Sequence, residues 1–340
     1  HEFAISGEQL AAGTIWTLGG LTLSHRPRHS NDGPVSAFAI LPDESTLPVA
    51  VLPMRRAGDP TESTPSATAR GPVDDPGISI VPYPTSVEII DGAPNTATTA
   101  RLTGDHPVAQ RAWDAVSALE HRSQTPRRLH STEGLAVIAV DDPGLGDEAY
   151  HLTIEAGQVT ATASGAAGFR YAFITLARWM GAGLPHGAHV EDQPTYSWRG
   201  LHIDLARQWF EPEVVARLID IAAWRKLSRL HLHLTDDEAW RLPVEGYPEL
   251  ASIGATRGHG LALEPMLGGT AAPAGRAYTA DEIARWVERA AELGVTLVPE
   301  IDLPAHNHAA LTALPRLRDP DERSEAMSVQ FFTDNVLVPG

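Results

Sequence analysis

The run Leu230-His-Leu-His-Leu-Thr-Asp-Asp-Glu-Ala-Trp240 decides how the chain folds. Leu230, Leu232 and Leu234 alternate with His231 and His233, a period of two that reads as a β-strand with unlike faces. The strand leads directly into two carboxylates, Asp236 and Asp237. Two other stretches repeat the arrangement. Arg199-Gly-Leu-His-Ile-Asp204-Leu ends near Asp204 and Arg207, and Val295-Thr-Leu-Val-Pro-Glu-Ile301 ends at Asp302, His306 and His308. Strands that each release titratable residues at the carboxyl end predict the active rim of a parallel β/α barrel, where the following loops converge.

The segments between these strands read as helices. Pro212 suits the first turn of a helix over 212–226, with Val214, Val215, Leu218 and Ala222 on its buried side. Thr279 with Glu282 three residues on forms a capping box that opens a helix over 279–293, and Gly294 closes it. The resulting βαβαβ order requires parallel strands with right-handed crossovers. The connection 254–277 is long, rich in glycine, and carries His259 and Met266. Loops of that length on the strand-exit side are commonly functional or mobile.

Upstream, 79–193 predicts an α+β domain. Ile78–Pro82 and Leu135–Val140 are strand-like, and Tyr150–Glu155 and Gln158–Ala163 flank Gly157 as a hairpin. Val108 to Leu119 and Phe169 to Trp179 follow helical spacing, with the aromatics read as helix core. Residues 1–78 read as a β-rich segment plus linker. Apolar runs lie at Thr14–Leu18, Val35–Ile40 and Leu47–Leu52, and a stretch rich in Pro, Thr and Ser covers 55–78. The domain expectation is therefore 1–78, 79–193 and 194–340.

The chain has 340 residues, 43% of them hydrophobic, enough for more than one core. A net charge of −17 argues against nucleic-acid binding and against electrostatic docking to anionic membranes. The absence of cysteine excludes disulfides and thiolate catalysis. No apolar run approaches the roughly 20 residues of a membrane span. No leader is visible and His1-Glu2-Phe3 reads as a cloning remnant, which leaves a soluble cytoplasmic chain and a secreted one with its leader removed both open.

At these motifs the sequence resembles glycoside hydrolase family 20, the β-N-acetylhexosaminidases. The resemblance rests on Tyr196-Ser-Trp-Arg-Gly200, Asp204-Leu-Ala-Arg207, Lys226-Leu-Ser-Arg-Leu230, His231-Leu-His-Leu-Thr-Asp-Asp237, Trp240-Arg241, Tyr247-Pro-Glu-Leu250, Ile253-Gly254 and Pro299-Glu-Ile-Asp-Leu-Pro-Ala-His306. Pro82-Tyr-Pro84 and Gly168-Phe-Arg-Tyr171 extend it to the family's small α+β domain. It implies the amino-terminal part of a (β/α)8 barrel behind that domain. It also implies removal of terminal N-acetylglucosamine or N-acetylgalactosamine from glycans, with retention of configuration. The family is a substrate-assisted exception to the two-carboxylate scheme. The substrate's acetamido oxygen attacks the anomeric carbon, a Glu protonates the leaving oxygen, an Asp orients the acetamido group, and neither metal nor other cofactor is required.

Residue by residue, the resemblance assigns Asp236 and His306 to a carboxylate–imidazole pair that supports the catalytic Glu. It assigns Arg199 to the sugar hydroxyls, against a competing reading as an ion pair at the barrel bottom. Asp204, His233, Asp237 and Asp302 are supporting candidates at the strand ends, while Arg207, Trp240 and Arg241 read as scaffold. Two departures are Ala305, where the family has glycine, and Gln208, where it has histidine. A larger one is that the family's His-x-Gly-Gly-Asp-Glu run, which holds its catalytic pair after the fourth strand, does not occur in this sequence. The expectation is a partial chain, the remaining barrel coming from a missing segment or a second chain. Two rival readings stand beside it. One is a metal-dependent amidohydrolase using His231, His233, Asp236, His306 and Asp302 as a zinc set. The other is a non-catalytic sugar-binding protein.

Overall fold

The computed structural model describes residues 37–40, 46–49, 80–130, 132–155, 157–256, 275–321 and 335–337. The apolar run at 14–18, the linker 55–78 and most of the glycine-rich connection, with His259 and Met266, lie outside the described residues. At the amino end, β1 (Ala37–Ile40) and β2 (Thr46–Val49) pair antiparallel.

Residues 80–192 form a seven-stranded mixed sheet with two helices. Its elements are β3 (Ser86–Ile90), β4 (Ala100–Thr103), α1 (Pro107–Arg122), β5 (Leu129–His130), β6 (Leu135–Asp141), β7 (Tyr150–Glu155), β8 (Gln158–Ala163), α2 (Ala166–Ala182) and β9 (Gly187–Asp192). The strand order is β3-β9-β7-β8-β6-β4-β5. Leu152, Ile154, Val159 and Ala161 point to the helices and pack with Trp113, Phe169, Phe173 and Leu176 in one core. Trp113 meets Phe173 edge-on at 5.0 Å. The expected hairpin turns at Gly157, whose φ of +87° is open to glycine at no steric cost. The strand expected over 78–82 does not form in its described part, residues 80–82. Pro82 and Pro84 remove ladder donors there, and pairing begins only at Ser86.

Next come β10 (Gly200–Asp204), α3 (Pro212–Trp224), β11 (Arg229–His233), α4 (Pro248–Ser252), α5 (Ala280–Leu293), β12 (Thr296–Glu300) and α6 (His308–Ala313). β10, β11 and β12 are parallel neighbours in that order and alternate with α3 and α5, the arrangement of part of a (β/α)8-type barrel. Register sorts their side chains. Leu201, Ile203, Leu230, Leu232 and Leu297 face α3 and α5, where they pack with Val215, Ile219, Trp286, Ala290 and Leu293. Full burial of a leucine, isoleucine or valine among them contributes about 1.5–3 kcal/mol. His202 pairs with His231, which pairs in turn with Val298, and Asp204 with His233, which pairs with Glu300, so these six share the opposite, inner face.

Local signals explain the helix ends. The Thr279 hydroxyl accepts from the Glu282 amide at 3.2 Å while the Glu282 carboxylate accepts from the Thr279 amide at 2.8 Å. Gly294 then ends α5 at φ +68°, in the left-handed region. The two units are joined by charge at the amino ends of the barrel strands. Lys226 Nζ donates to Asp192 at 2.8 Å and to the Tyr150 hydroxyl at 2.7 Å. Asp220 receives both Arg122 and Arg289.

Candidate active site

The carboxyl ends of the three strands converge on Asp236, whose side chain is wholly buried. Four donors surround it. His233 Nε2 reaches Oδ2 at 2.8 Å, His306 Nδ1 reaches Oδ1 at 3.2 Å, the Asp237 amide reaches Oδ1 at 2.6 Å, and an Arg207 guanidinium nitrogen contacts Oδ2. Each donor comes from a different place: the last residue of β11, the loop after β12, the next peptide, and the loop after β10. Burial works against a charge on Asp236, but His233, the Asp237 amide, Arg207 and His306 outweigh it and hold the carboxyl below its ordinary range. His233 responds in the opposite sense. Burial opposes its charge, yet the bond to Asp236 and the nearby Asp204 and Glu300 push the imidazole up to about 9.

His306 sits at φ +57°, in the left-handed region that a β-carbon disfavours. Asn307, buried, fixes that turn by donating its amide to the Asp302 carbonyl at 2.9 Å and to the Ala305 carbonyl. The strained turn aims His306 Nδ1 at Asp236. Among the described residues Nε2 has no partner.

Asp237 turns the other way. It accepts from the His308 amide at 3.1 Å and from Asn335 Nδ2 at 3.0 Å, which ties the loop after β12 to the strand end. Burial raises its carboxyl, offset in part by these two bonds. Asp204 accepts from the amides of Ala206 and Arg207 and from the Arg207 side chain at 2.8 Å. The Asp302 backbone amide donates to the Thr235 hydroxyl at 3.0 Å. Arg241, fully buried, binds the carbonyls of Leu205, Ala206 and Ala255 and acts as the scaffold latch for these loops.

Arg199 does not join this group. It precedes β10, at the amino rim, so a five-residue strand of roughly 16 Å separates it from Asp204. There it makes a two-pronged pair with Glu148 at 2.6 and 3.2 Å and also binds the Tyr171 hydroxyl and the carbonyls of Tyr196 and Lys226. The expectation that Arg199 serves the sugar hydroxyls at the rim of Asp236 and His306 is corrected. The barrel-bottom ion pair is what forms, because a residue in front of a parallel strand lies at the opposite end from the loops that follow it. Arg207, read as scaffold, is the arginine at the Asp236 rim. Its position after β10 carried the signal, by the same rule that singled out Asp236.

Glu238 was also missed. Its side chain is wholly buried, and among the described residues neither oxygen has a hydrogen-bond partner and the nearest cationic atom is Arg207 Nε at 3.7 Å. Burial, then the neighbouring Asp236 charge, pushes its carboxyl up to about 7.

Among the described residues, three groups of ligand-bearing side chains have donor atoms within 4.8 Å of one another: His202–His231–Glu300, His233–Asp236–Asp302 and Asp236–Asp237–His306. The five-residue zinc set of the amidohydrolase reading is not assembled as one centre. His231 Nε2 lies 2.9 Å from a Glu300 carboxylate oxygen, and His231 belongs to a different group from Asp236 and His306.

Comparison with known proteins agrees with this geometry. A profile described as glycosyl hydrolase family 20, catalytic domain, matches residues 196–339, and one described as domain 2 of that family matches 77–193. A β-hexosaminidase of Vibrio furnissii is 33% identical over 308 residues, spanning 87% of this chain and 48% of that protein. The structure of an exo-β-N-acetylglucosaminidase from Vibrio harveyi, solved with N-acetylglucosamine, superposes with a TM-score of 0.63 at 27% identity over 77% of this chain and 42% of that one. The β-N-acetylhexosaminidase of Streptomyces coelicolor A3(2) gives a TM-score of 0.61 at 31% identity over 77% and 54%. The chain thus spans about half the length of these relatives. With both profiles in sequence order and strand ends that gather Arg207, Asp236 and His306, the chain belongs to glycoside hydrolase family 20.

Proposed function

We propose that this chain supplies the Asp236-centred part of the active site of a retaining β-N-acetylhexosaminidase, an enzyme that removes terminal N-acetylglucosamine or N-acetylgalactosamine from glycans. The observation that carries the reading is one buried carboxylate held ionised by two imidazoles and a guanidinium at the loop-bearing rim of the barrel. In this reading Asp236 fixes the proton of His306 on Nδ1 and leaves Nε2 to meet the carboxyl of the general acid. Arg207 is the candidate for the sugar hydroxyls. Its nitrogens are oriented by Asp204, Asp236 and Glu238, and a guanidinium can address two adjacent oxygens at once. The substrate's own acetamido oxygen serves as nucleophile, so the protein's task is to orient that group and to deliver a proton to the leaving oxygen. The Gly-Gly-Asp-Glu run implied to hold the acid and the orienting carboxylate is absent from this sequence. The proposal therefore gives residues 1–340 the supporting pair and the arginine, not the acid.

The test compares the two arginines in the gene product that carries this sequence. Titration with N-acetylglucosamine is expected to show Arg207→Ala binding about 10- to 100-fold more weakly, the loss of hydrogen bonds from a charged donor. Arg199→Ala is expected to lower the unfolding midpoint and leave affinity unchanged. Affinity lost in Arg199→Ala and kept in Arg207→Ala would reverse the assignment.

A further inference from the structure

Three imidazole nitrogens surround one carboxylate oxygen on the inner face of the barrel sheet, below the Asp236 cluster. Glu300 Oε2 lies 2.9 Å from His231 Nε2, 3.2 Å from His233 Nδ1 and 3.5 Å from His202 Nε2. That oxygen is shielded from solvent, yet none of the three nitrogens approaches it with hydrogen-bond geometry. The nitrogens are near the oxygen without being aimed at it. Donor atoms that share a neighbourhood but point past one another are arranged as ligands are around a common centre.

We propose that His202, His231 and Glu300 form a binding site for a first-row divalent transition cation of the zinc class. Their donor atoms lie within 4.8 Å of one another. Zinc takes imidazole nitrogen and carboxylate oxygen at about 2.0–2.2 Å, which places adjacent ligands of a tetrahedron roughly 3.4 Å apart. The observed 2.9 and 3.5 Å between Glu300 and the two histidines bracket that edge. Two nitrogens and one oxygen suit zinc, cobalt or nickel better than magnesium or calcium, which take all-oxygen shells. Water completes the shell. His233 stays outside it, since its donor atoms group with Asp236 and Asp302 rather than with His202 and His231.

The placement gives the ion a task. His202 comes from β10, His231 from β11 and Glu300 from β12, so each of the three parallel strands contributes one ligand. His202 and His231 are register partners, and their rings meet edge-on at 4.8 Å. A bound ion would clip the sheet together across its inner face. Such a site is independent of the hexosaminidase reading, because it uses neither Arg207, Asp236 nor His306.

The experiment is titration of the metal-stripped gene product that carries this sequence with Zn²⁺ by calorimetry, alongside thermal unfolding and the visible spectrum with Co²⁺. One ion per chain is expected, with an unfolding midpoint that rises by several degrees at saturating Zn²⁺ and d–d bands in the visible with Co²⁺. His231→Gln and His202→Ala are each expected to weaken binding by about 100-fold or more and to abolish the midpoint shift. His202 is exposed, so its replacement leaves folding intact and keeps the test readable by circular dichroism. His306→Ala is expected to bind as the parent does. No binding, or binding lost in His306→Ala and kept in His202→Ala and His231→Gln, would overturn the proposal.

Discussion

Asp236→Asn is expected to lower kcat/KM for an aryl N-acetyl-β-glucosaminide by about 10²–10³-fold in the gene product that carries this sequence, with KM changed little. The reason lies in the charges that Asp236 gathers. His233, His306 and Arg207 all meet this one carboxylate, and an amide in its place returns no countercharge. His306 then loses the acceptor that holds its proton on Nδ1. The same substitution reports on His233. Its imidazole stands at about 9 against burial, chiefly through its bond to Asp236, and should fall back toward the ordinary 6.5. Imidazole proton shifts in a pH titration measure this directly. The linkage has a definite sign. A histidine raised in the folded state adds stability that is complete below pH 6.5 and is lost as pH rises through about 9. The lowered Asp236 adds stability above its unfolded value of 3.8 that is lost as pH falls through the folded one. Wild-type protein should therefore lose part of its stability at both ends of that window, and Asp236→Asn should flatten both losses. Unchanged turnover together with an unchanged His233 titration would remove Asp236 from the mechanism.

The second large effect concerns Glu238. Its carboxyl titrates near 7 in the folded chain and at 4.5 when unfolded. The folded state keeps the proton longer, so stability declines as pH rises from 4.5 to 7, by about 3 kcal/mol at about 1.4 kcal/mol per unit. Glu238→Gln should remove that decline. Unfolding free energies from urea titration are expected to coincide with the parent at pH 4 and to exceed it at pH 8, by a margin on the order of 2–3 kcal/mol. Lower stability of the variant at pH 8 would show instead that the Glu238 carboxylate is needed to hold Arg207, whose Nε lies 3.7 Å away.

Much of the barrel portion was legible in the sequence because periodicity carries it. The leucine–histidine alternation of β11 becomes an apolar outer face and a polar inner one. Thr279, Glu282 and Gly294 mark the ends of α5 as their chemistry requires. The pairing of Asp236 with His306 was legible only through the family's motifs, since the two are 70 positions apart and no local pattern joins them. What was not legible follows from the limits of a period-two pattern. It says which face a side chain takes, whereas Arg199 came to the sugar hydroxyls through the family resemblance alone, against its place ahead of β10, and Arg207 after that strand was read as scaffold. Glu238, one residue beyond two aspartates, carried no local pattern that singles it out. Only its burial beneath Arg207 and Asp236 shows otherwise. The short strands β3, β4 and β9 lack the length or clean alternation that would have marked them.

One assay bears most directly on the central claim that the Asp236 rim serves a retaining β-N-acetylhexosaminidase. The gene product carrying this sequence is incubated with an aryl N-acetyl-β-glucosaminide, and the first-formed sugar is followed by proton NMR, in parent and Asp236→Asn. The expected result is release of the β-anomer by the parent, with the rate reduced at least 10²-fold in the variant. No hydrolysis by the parent, first release of the α-anomer, or a rate that Asp236→Asn leaves intact would contradict the claim.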